Sequence, residues 1–245
     1  MGIQRIAHRG FSSQAPENSG AAFALAAEGD FFGVECDIWK TLDGRYVVAH
    51  DKDLNRMFGV DFRIPDRTWE EIRNLPMVRG ACLTKHPPQH LILLEDYLAY
   101  MSRSDRTHPI IELKMEYTAV ELREIVNLVR SYQLYDRCFF ISLHPQVLLR
   151  LRDELDFPRE RLQYVYGATP ASKYMPVGDG LERWLQEEGI SLDSRYQLLT
   201  RGTVLRLHEA GLKVNVWTVN KQEEFNRMLD YGVDYITSNY YLKER

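Results

Sequence analysis

Short apolar runs alternate along the chain with segments whose apolar residues repeat at helical spacing. The strand-like runs are Gln4–Ala7, Gly33–Asp37, Pro109–Leu113, Arg137–Ser142, Leu162–Tyr166, a short one at Ile190–Leu192, Lys213–Thr218 and Asp234–Thr237. Several segments between them carry helix signals. Asn18 can cap a helix that runs to Gly29. Thr118 and Glu121 fit a capping box ahead of Leu122, Ile125, Val126 and Val129, which share one face. Pro145 suits a first helical turn, Asn220 and Glu223 form another cap pair, and Gly232 can end that last helix. Strand and helix in alternation predict a parallel sheet. Eight such strands in 245 residues predict an α/β fold of the (β/α)8 TIM-barrel type.

One connection is too long for a simple loop. Between Asp37 and Pro109 the pattern predicts a short strand at Tyr46–His50 after an Asp43–Gly44 turn. A Thr68–Leu75 helix with its own Thr68/Glu71 capping box follows, then a Leu94–Ser102 helix. Loops that follow the strands of a barrel build its active face. No repeat, low-complexity tract or linker is visible, so the chain reads as one domain, 1–245, with residues 51–108 as a small insertion after strand 2.

Composition narrows the function classes. Hydrophobic residues make up 44% and charged residues 27%, ordinary for a soluble enzyme, and no apolar run is long enough to span a membrane. The expectation is a cytoplasmic protein without stable membrane insertion. The sequence carries no signal of oligomeric state. A net charge of -4 leaves no basic excess for nucleic acid, so an anionic ligand must be held locally, by a metal or a few placed cations. Cys36, Cys82 and Cys138 have no CxxC spacing and suggest neither a disulfide framework nor a thiolate zinc site.

The charged residues on the strands carry the chemistry. The first strand ends in Ile6–Ala7–His8–Arg9–Gly10. The second carries Glu35 and Asp37, and the third carries Glu112 and Lys114. Residues two apart on a strand share a face, so each pair points the same way. If neighbouring strands follow chain order, these groups converge at one mouth of the barrel. Three carboxylates crowded where apolar side chains normally pack repel one another and are poorly solvated. A divalent cation removes that conflict. An all-oxygen set selects a hard ion, Mg²⁺ or Ca²⁺ with Mn²⁺ as the third option, over Zn²⁺. His8 and His50 then read as acid/base groups, and Arg9 and Lys114 as cations for phosphate oxygens. Each has a plainer alternative. A histidine on a strand is usually structural, Lys114 can be a buried partner of Glu112, Trp217 can be core, and Glu17 can act through the first helix's dipole. His86 and His90 sit among prolines with no third ligand nearby, and His108, His144 and His208 read as solvated or satisfied.

Taken in order, His8–Arg9–Gly10, Pro16–Glu17–Asn18, Glu35–Cys36–Asp37, the run Thr41 to Asp51, Glu112–Leu113–Lys114, Trp217–Thr218–Val219–Asn220 and Gly232–Val233–Asp234 resemble the glycerophosphodiester phosphodiesterase family over nearly the whole chain. Each motif alone is common; the ordered set is specific. The resemblance implies a barrel enzyme that splits a small-molecule glycerophosphodiester into sn-glycerol 3-phosphate and an alcohol. It makes Glu35, Asp37 and Glu112 metal ligands and His8 and His50 the catalytic pair. It places Arg9 and Lys114 on phosphate and Trp217 on the glycerol side of the pocket. The sequence departs from the family pattern at Ser142–Leu143, at Ile92–Leu93–Leu94–Glu95 and at Thr237–Ser238–Asn239–Tyr240, and these departures concern the substrate pocket. Two further readings stand beside this one. A lysophospholipase D-type or cyclic-phosphodiester enzyme of the same superfamily would show an apolar rim, for which Phe58, Phe62, Tyr97 and Tyr100 are the candidates if exposed. A non-catalytic barrel that binds metal and phosphate would lack the histidine pair.

Overall fold

The structure, a computed structural model, describes residues 2–167, 169 and 177–244. Ten strands occur among them: β1 (Gln4–Ala7), β2 (Gly33–Lys40), β3 (Tyr46–Val48), β4 (Ile92–Leu93), β5 (His108–Leu113), β6 (Phe139–Ser142), β7 (Leu162–Tyr166), β8 (Ser191–Arg195), β9 (Val214–Trp217) and β10 (Tyr235–Ser238). Eight of them, β1, β2 and β5 to β10, are parallel to their barrel neighbours and close on themselves, since β1 pairs with both β10 and β2. The predicted barrel is therefore the observed architecture. No described helix is long and apolar enough to cross a membrane.

The helices cover the barrel by burying one face. In α5 (Ala119–Ser131), Leu122, Ile125, Val126 and Val129 are buried, and the predicted Thr118/Glu121 capping box closes its N-terminus. Pro145 opens α6 (Pro145–Leu155), and Gly232 ends α9 (Gln222–Tyr231) in a left-handed conformation. Two other predicted caps are corrected. The helix Gly20–Glu28, α1, is capped by Ser19, whose hydroxyl accepts from the Ala22 amide. Asn18 turns into the left-handed region and sends its side chain elsewhere. Helix α9 is preceded by Lys221, which makes no side-chain cap; Asn220 Oδ1 accepts from the Asn239 amide at 3.0 Å instead.

Between β2 and β5 the chain leaves the barrel and returns. The outer end of β2 pairs antiparallel with β3, and β3 with β4. The short helices α2 (Asn55–Phe58) and α3 (Trp69–Ile72) lie between β3 and β4, the latter with the predicted Thr68/Glu71 box. This segment has its own apolar cluster, with Val47, Ala49, Leu54, Phe58, Ile64, Ile72, Met77 and Leu91 buried together. Helix α4 (Leu94–Met101) then packs on the barrel: the Tyr97 hydroxyl donates to the Val34 carbonyl at 2.7 Å and accepts from the Ile110 amide at 3.1 Å.

The main core lies between strands and helices, and it includes Cys36 and Cys138 as free, buried thiols. A smaller cluster of Ile6, Ile110, Phe139, Ile141 and Val165 fills the barrel interior below the site. Replacing Thr118 with Ala removes the α5 cap and is expected to cost about 1 kcal/mol, read as a lower urea midpoint with the slope unchanged.

Candidate active site

Register alone brings the carboxylates together. In the β2–β5 pairing Asp37 lies directly beside Glu112, and Glu35, two residues back on β2, shares their face. One oxygen from each of Glu35, Asp37 and Glu112 lies within 4.8 Å of the others, at the C-terminal end of the barrel strands. Like charges in adjacent cross-strand positions destabilise a sheet unless something neutralises them.

Lys114 Nζ answers part of this, 2.9 Å from Glu112 Oε1 and 3.2 Å from Asp37 Oδ1. Arg9 answers another part. Its backbone amide donates to Glu35 Oε2 at 2.7 Å, its Nε lies 3.6 Å from Asp37 Oδ2, and its Nη1 donates to Glu17 at 2.8 Å. Asn18, freed from the helix cap, donates from Nδ2 to Asp37 Oδ2 at 2.8 Å. Two non-glycine residues in the left-handed region, Arg9 and Asn18, make this wrapping possible. Gly10 between them cannot be replaced: its φ is +76°, and a Cβ there would lie 2.7 Å from the Ala22 carbonyl carbon.

The titrations follow from these contacts. Burial raises Glu35 well above its ordinary value, and Asp37 and Glu112 push it further. Burial likewise raises Glu112, against the pull of Lys114. Burial would raise Asp37 too, but Lys114, His50 and Arg9 overcome it and hold Asp37 below the carboxylate range. Even so, Glu35 Oε1 is buried without a hydrogen-bond partner, and Asp37 Oδ1 has only the Lys114 ammonium beside it. An orphaned carboxylate oxygen in an all-oxygen set fits a hard divalent cation, which would supply the missing positive charge.

Both predicted histidines face the same cavity. His8 Nδ1 lies 2.7 Å from Asn239 Oδ1, a carbonyl oxygen that can only accept, so the proton sits on Nδ1 and Nε2 is left as a lone pair. Burial, then the Arg9 cation, push His8 down to about 3, so it is a neutral imidazole at neutral pH. His50 donates through Nδ1 to Asp51 Oδ1 at 2.8 Å. That hydrogen bond, joined by one from Arg56, holds Asp51 below the carboxylate range despite partial burial. Arg56 also donates to Glu17 Oε1 at 2.6 Å, which links His50 through Asp51, Arg56 and Glu17 to Arg9.

The cavity is lined by His8, Arg9, Glu35, His50, Glu112, Lys114 and Trp217 over a floor that includes Ile110, Ile141, Val165, Asp193, Asn215 and Thr237. An open shelf bearing Trp39, Lys52, Arg56 and Leu143 adjoins it; His50 and Lys114 line both, whereas His8 lines only the enclosed part. Asp37 is fully buried behind the carboxylate cluster. Of the predicted residues, then, His8, Arg9, Glu35, Asp37, His50, Glu112, Lys114 and Trp217 all meet here. Lys114 is the buried partner of Glu112 and also lines the cavity. Sequence reasoning missed Asn18, Asn239 and Asp193. The departure at Ser238–Asn239 carried a usable signal, since a polar loop just after a barrel strand belongs to the active face.

The sequence profile of the glycerophosphoryl diester phosphodiesterase family matches residues 8–243. The chain belongs to this family. Membership makes it a phosphoric diester hydrolase. A glycerophosphodiester phosphodiesterase of Bacillus altitudinis is 26% identical over 242 residues, covering 96% of this chain and 94% of the relative. One from Caldanaerobacter subterraneus is 27% identical over 248 residues, covering 96% and 93%. Among solved structures, a glycerophosphodiester phosphodiesterase from Parabacteroides distasonis has 26% identity and a TM-score of 0.76, covering 97% of this chain and 92% of that one. An Oleispira antarctica phosphodiesterase, solved with sn-glycerol-3-phosphate as product, shares the fold at 23% identity and a TM-score of 0.84, covering 97% and 93%.

In this phosphodiesterase the raised carboxyls cost stability. A buried acid whose folded value is raised loses its proton more readily when unfolded, so its contribution falls as pH rises from its ordinary value of 4.5 toward the folded value. Glu35→Gln removes that loss and keeps an oxygen for the Arg9 amide. Without divalent cation, its denaturation midpoint is expected to exceed the wild type's at pH 7, with the gap closing toward pH 4. Urea titrations across that range check it.

Proposed function

We propose that the protein hydrolyses glycerophosphodiesters to sn-glycerol 3-phosphate and an alcohol, with His8 and His50 as the acid/base pair and Glu35, Asp37 and Glu112 holding a divalent cation. The observation that carries this reading is the placement of the histidines. Each has its Nδ1 proton committed to a fixed acceptor, which leaves Nε2 for chemistry, and both border the cavity that holds the carboxylates. The sn-glycerol-3-phosphate in the Oleispira structure and the names of the bacterial relatives support the substrate class.

The roles divide by position. His8, neutral and confined to the enclosed cavity, takes the proton of the glycerol hydroxyl beside the phosphate ester. That oxygen forms a bond to phosphorus, and the bond from phosphorus to the alcohol oxygen breaks. His50, at the border with the open shelf, is placed to give a proton to the departing alcohol. The anionic Asp51 stabilises His50 while it carries that proton. The cyclic phosphate is then opened by water: His50 now accepts the water proton, and His8 returns its own to the glycerol oxygen. Arg9 and Lys114 offer positive charge to the phosphoryl oxygens, and their carboxylate contacts fix where that charge sits. A divalent cation bound at the carboxylates would polarise the phosphoryl group and offset charge that grows in the transition state.

The lysophospholipid reading loses its support. Phe58 and Tyr97 are buried and Phe62 and Tyr100 half-buried, so these four do not form an exposed apolar rim. A purely binding barrel would have no use for two histidines poised in this way.

Release of glycerol 3-phosphate from glycerophosphocholine is expected to stop in EDTA and to return with Mg²⁺, Ca²⁺ or Mn²⁺; full turnover after complete chelation would remove the metal from the reading. His8→Ala and His50→Ala are each expected to lower kcat by about 10²–10⁴. Near-normal kcat in either would defeat the acid/base assignment.

A further inference from the structure

Strand β8 brings a group into the cavity that the reaction above leaves idle. Ser191, Asp193 and Arg195 alternate onto the barrel's inner face, and Asp193 reaches the cavity floor. It is only 3% exposed, and among the described residues its Oδ1 has no hydrogen-bond partner. Its polar neighbours on the floor are already engaged: Asn215 accepts from the Thr237 hydroxyl at 3.1 Å and donates to Gln163 Oε1 at 3.3 Å. Ile141 and Val165 offer it nothing polar. A buried carboxyl oxygen left in this state, facing a cavity, is open to a donor on a bound molecule.

We propose that Asp193 is the specificity-determining residue for the glycerol half of the substrate, its carboxyl accepting a hydrogen bond from the terminal hydroxyl. This rests on the glycerophosphodiesterase reading. The neighbours of Asp193 decide the class of donor. Trp217 lies against the same strand, its Nε1 donating to the Asp193 carbonyl at 3.3 Å. Above the Trp217 ring stands the Arg195 guanidinium, 5.8 Å from its centroid. The Arg195 stem fits there because residue 167 is glycine; a Cβ on it would come within 2.7 Å of Arg195 Cγ. The indole face thus already carries a cation, and a choline or ethanolamine head group would meet a like charge. A neutral hydroxyl suffers no such repulsion. The hydroxyl beside the phosphate ester is consumed in the chemistry with His8, which leaves the terminal one for Asp193. An acyl chain on that oxygen would remove its hydrogen, so Asp193 also works against lysophospholipids.

The test compares kcat/KM in the cation-loaded enzyme for three substrates. These are glycerophosphocholine, the propane-1,2-diol analogue that lacks only the terminal hydroxyl, and 1-acyl-lysophosphatidylcholine. Wild type is expected to favour glycerophosphocholine over each of the others by about 100-fold or more, since a site built around a hydroxyl rejects a ligand without one. Asp193→Leu should bring the glycerol and propanediol substrates within about threefold of each other, and Asp193→Asn, which keeps an acceptor, should retain most of the preference. Equal turnover of glycerophosphocholine and its deoxy analogue by wild type overturns the proposal while leaving the glycerophosphodiesterase reading intact, whether or not the leucine variant folds. A wild-type preference that survives in a folded Asp193→Leu protein overturns it as well. Turnover of neither glycerol substrate by wild type would sink both readings.

Discussion

The adjacency of Asp37 and Glu112 across the β2–β5 pairing governs the rest of the site. A parallel barrel normally fills its interior with branched apolar side chains, and this one does so only in its lower layer. Above that layer, three carboxylates share a space from which water is largely excluded. Their repulsion explains why Lys114 bends back to two of them and why Arg9 offers both its amide and its guanidinium. It also explains the left-handed turns at Arg9 and Asn18, which no local preference of an arginine would select. The loop between β1 and α1 is shaped by the electrostatics it has to satisfy.

What was legible in the sequence is what depends on short-range periodicity. Glu35 with Asp37, and Glu112 with Lys114, could be put on common faces because a strand repeats every two residues. Convergence then needed only one further assumption, that neighbouring barrel strands follow chain order, and the pairing of β1, β2 and β5 satisfies it. His50 lies beyond such local logic. The family motif supplied it, and the segment between β2 and β5 delivers it.

The residues that escaped did so for identifiable reasons. Strand β8 was expected to be short because Asp193, Ser194 and Arg195 interrupt its apolar run, yet these polar residues belong to the barrel and two of them face inward. An active face makes a strand look less like one. Asn18 and Asn220 each precede a helix, and an asparagine there gives the same signal whether it caps the helix or tethers something distant. Here both tether: Asn18 holds Asp37, and Asn220 holds the backbone of Asn239, whose side chain in turn holds His8.

The small apolar cluster around Leu54, Phe58 and Ile72 has a further meaning. The strand that leads to His50 is shared between two clusters: Val47 and the following Ala49 pack into this one, whereas Tyr46 and Val48 pack into the main core and the strand pairs with β2 of the barrel. One member of the histidine pair is therefore mounted on a seam between two apolar clusters. Side chains far from the cavity, in the segment between β2 and β5, take part in setting where His50 stands.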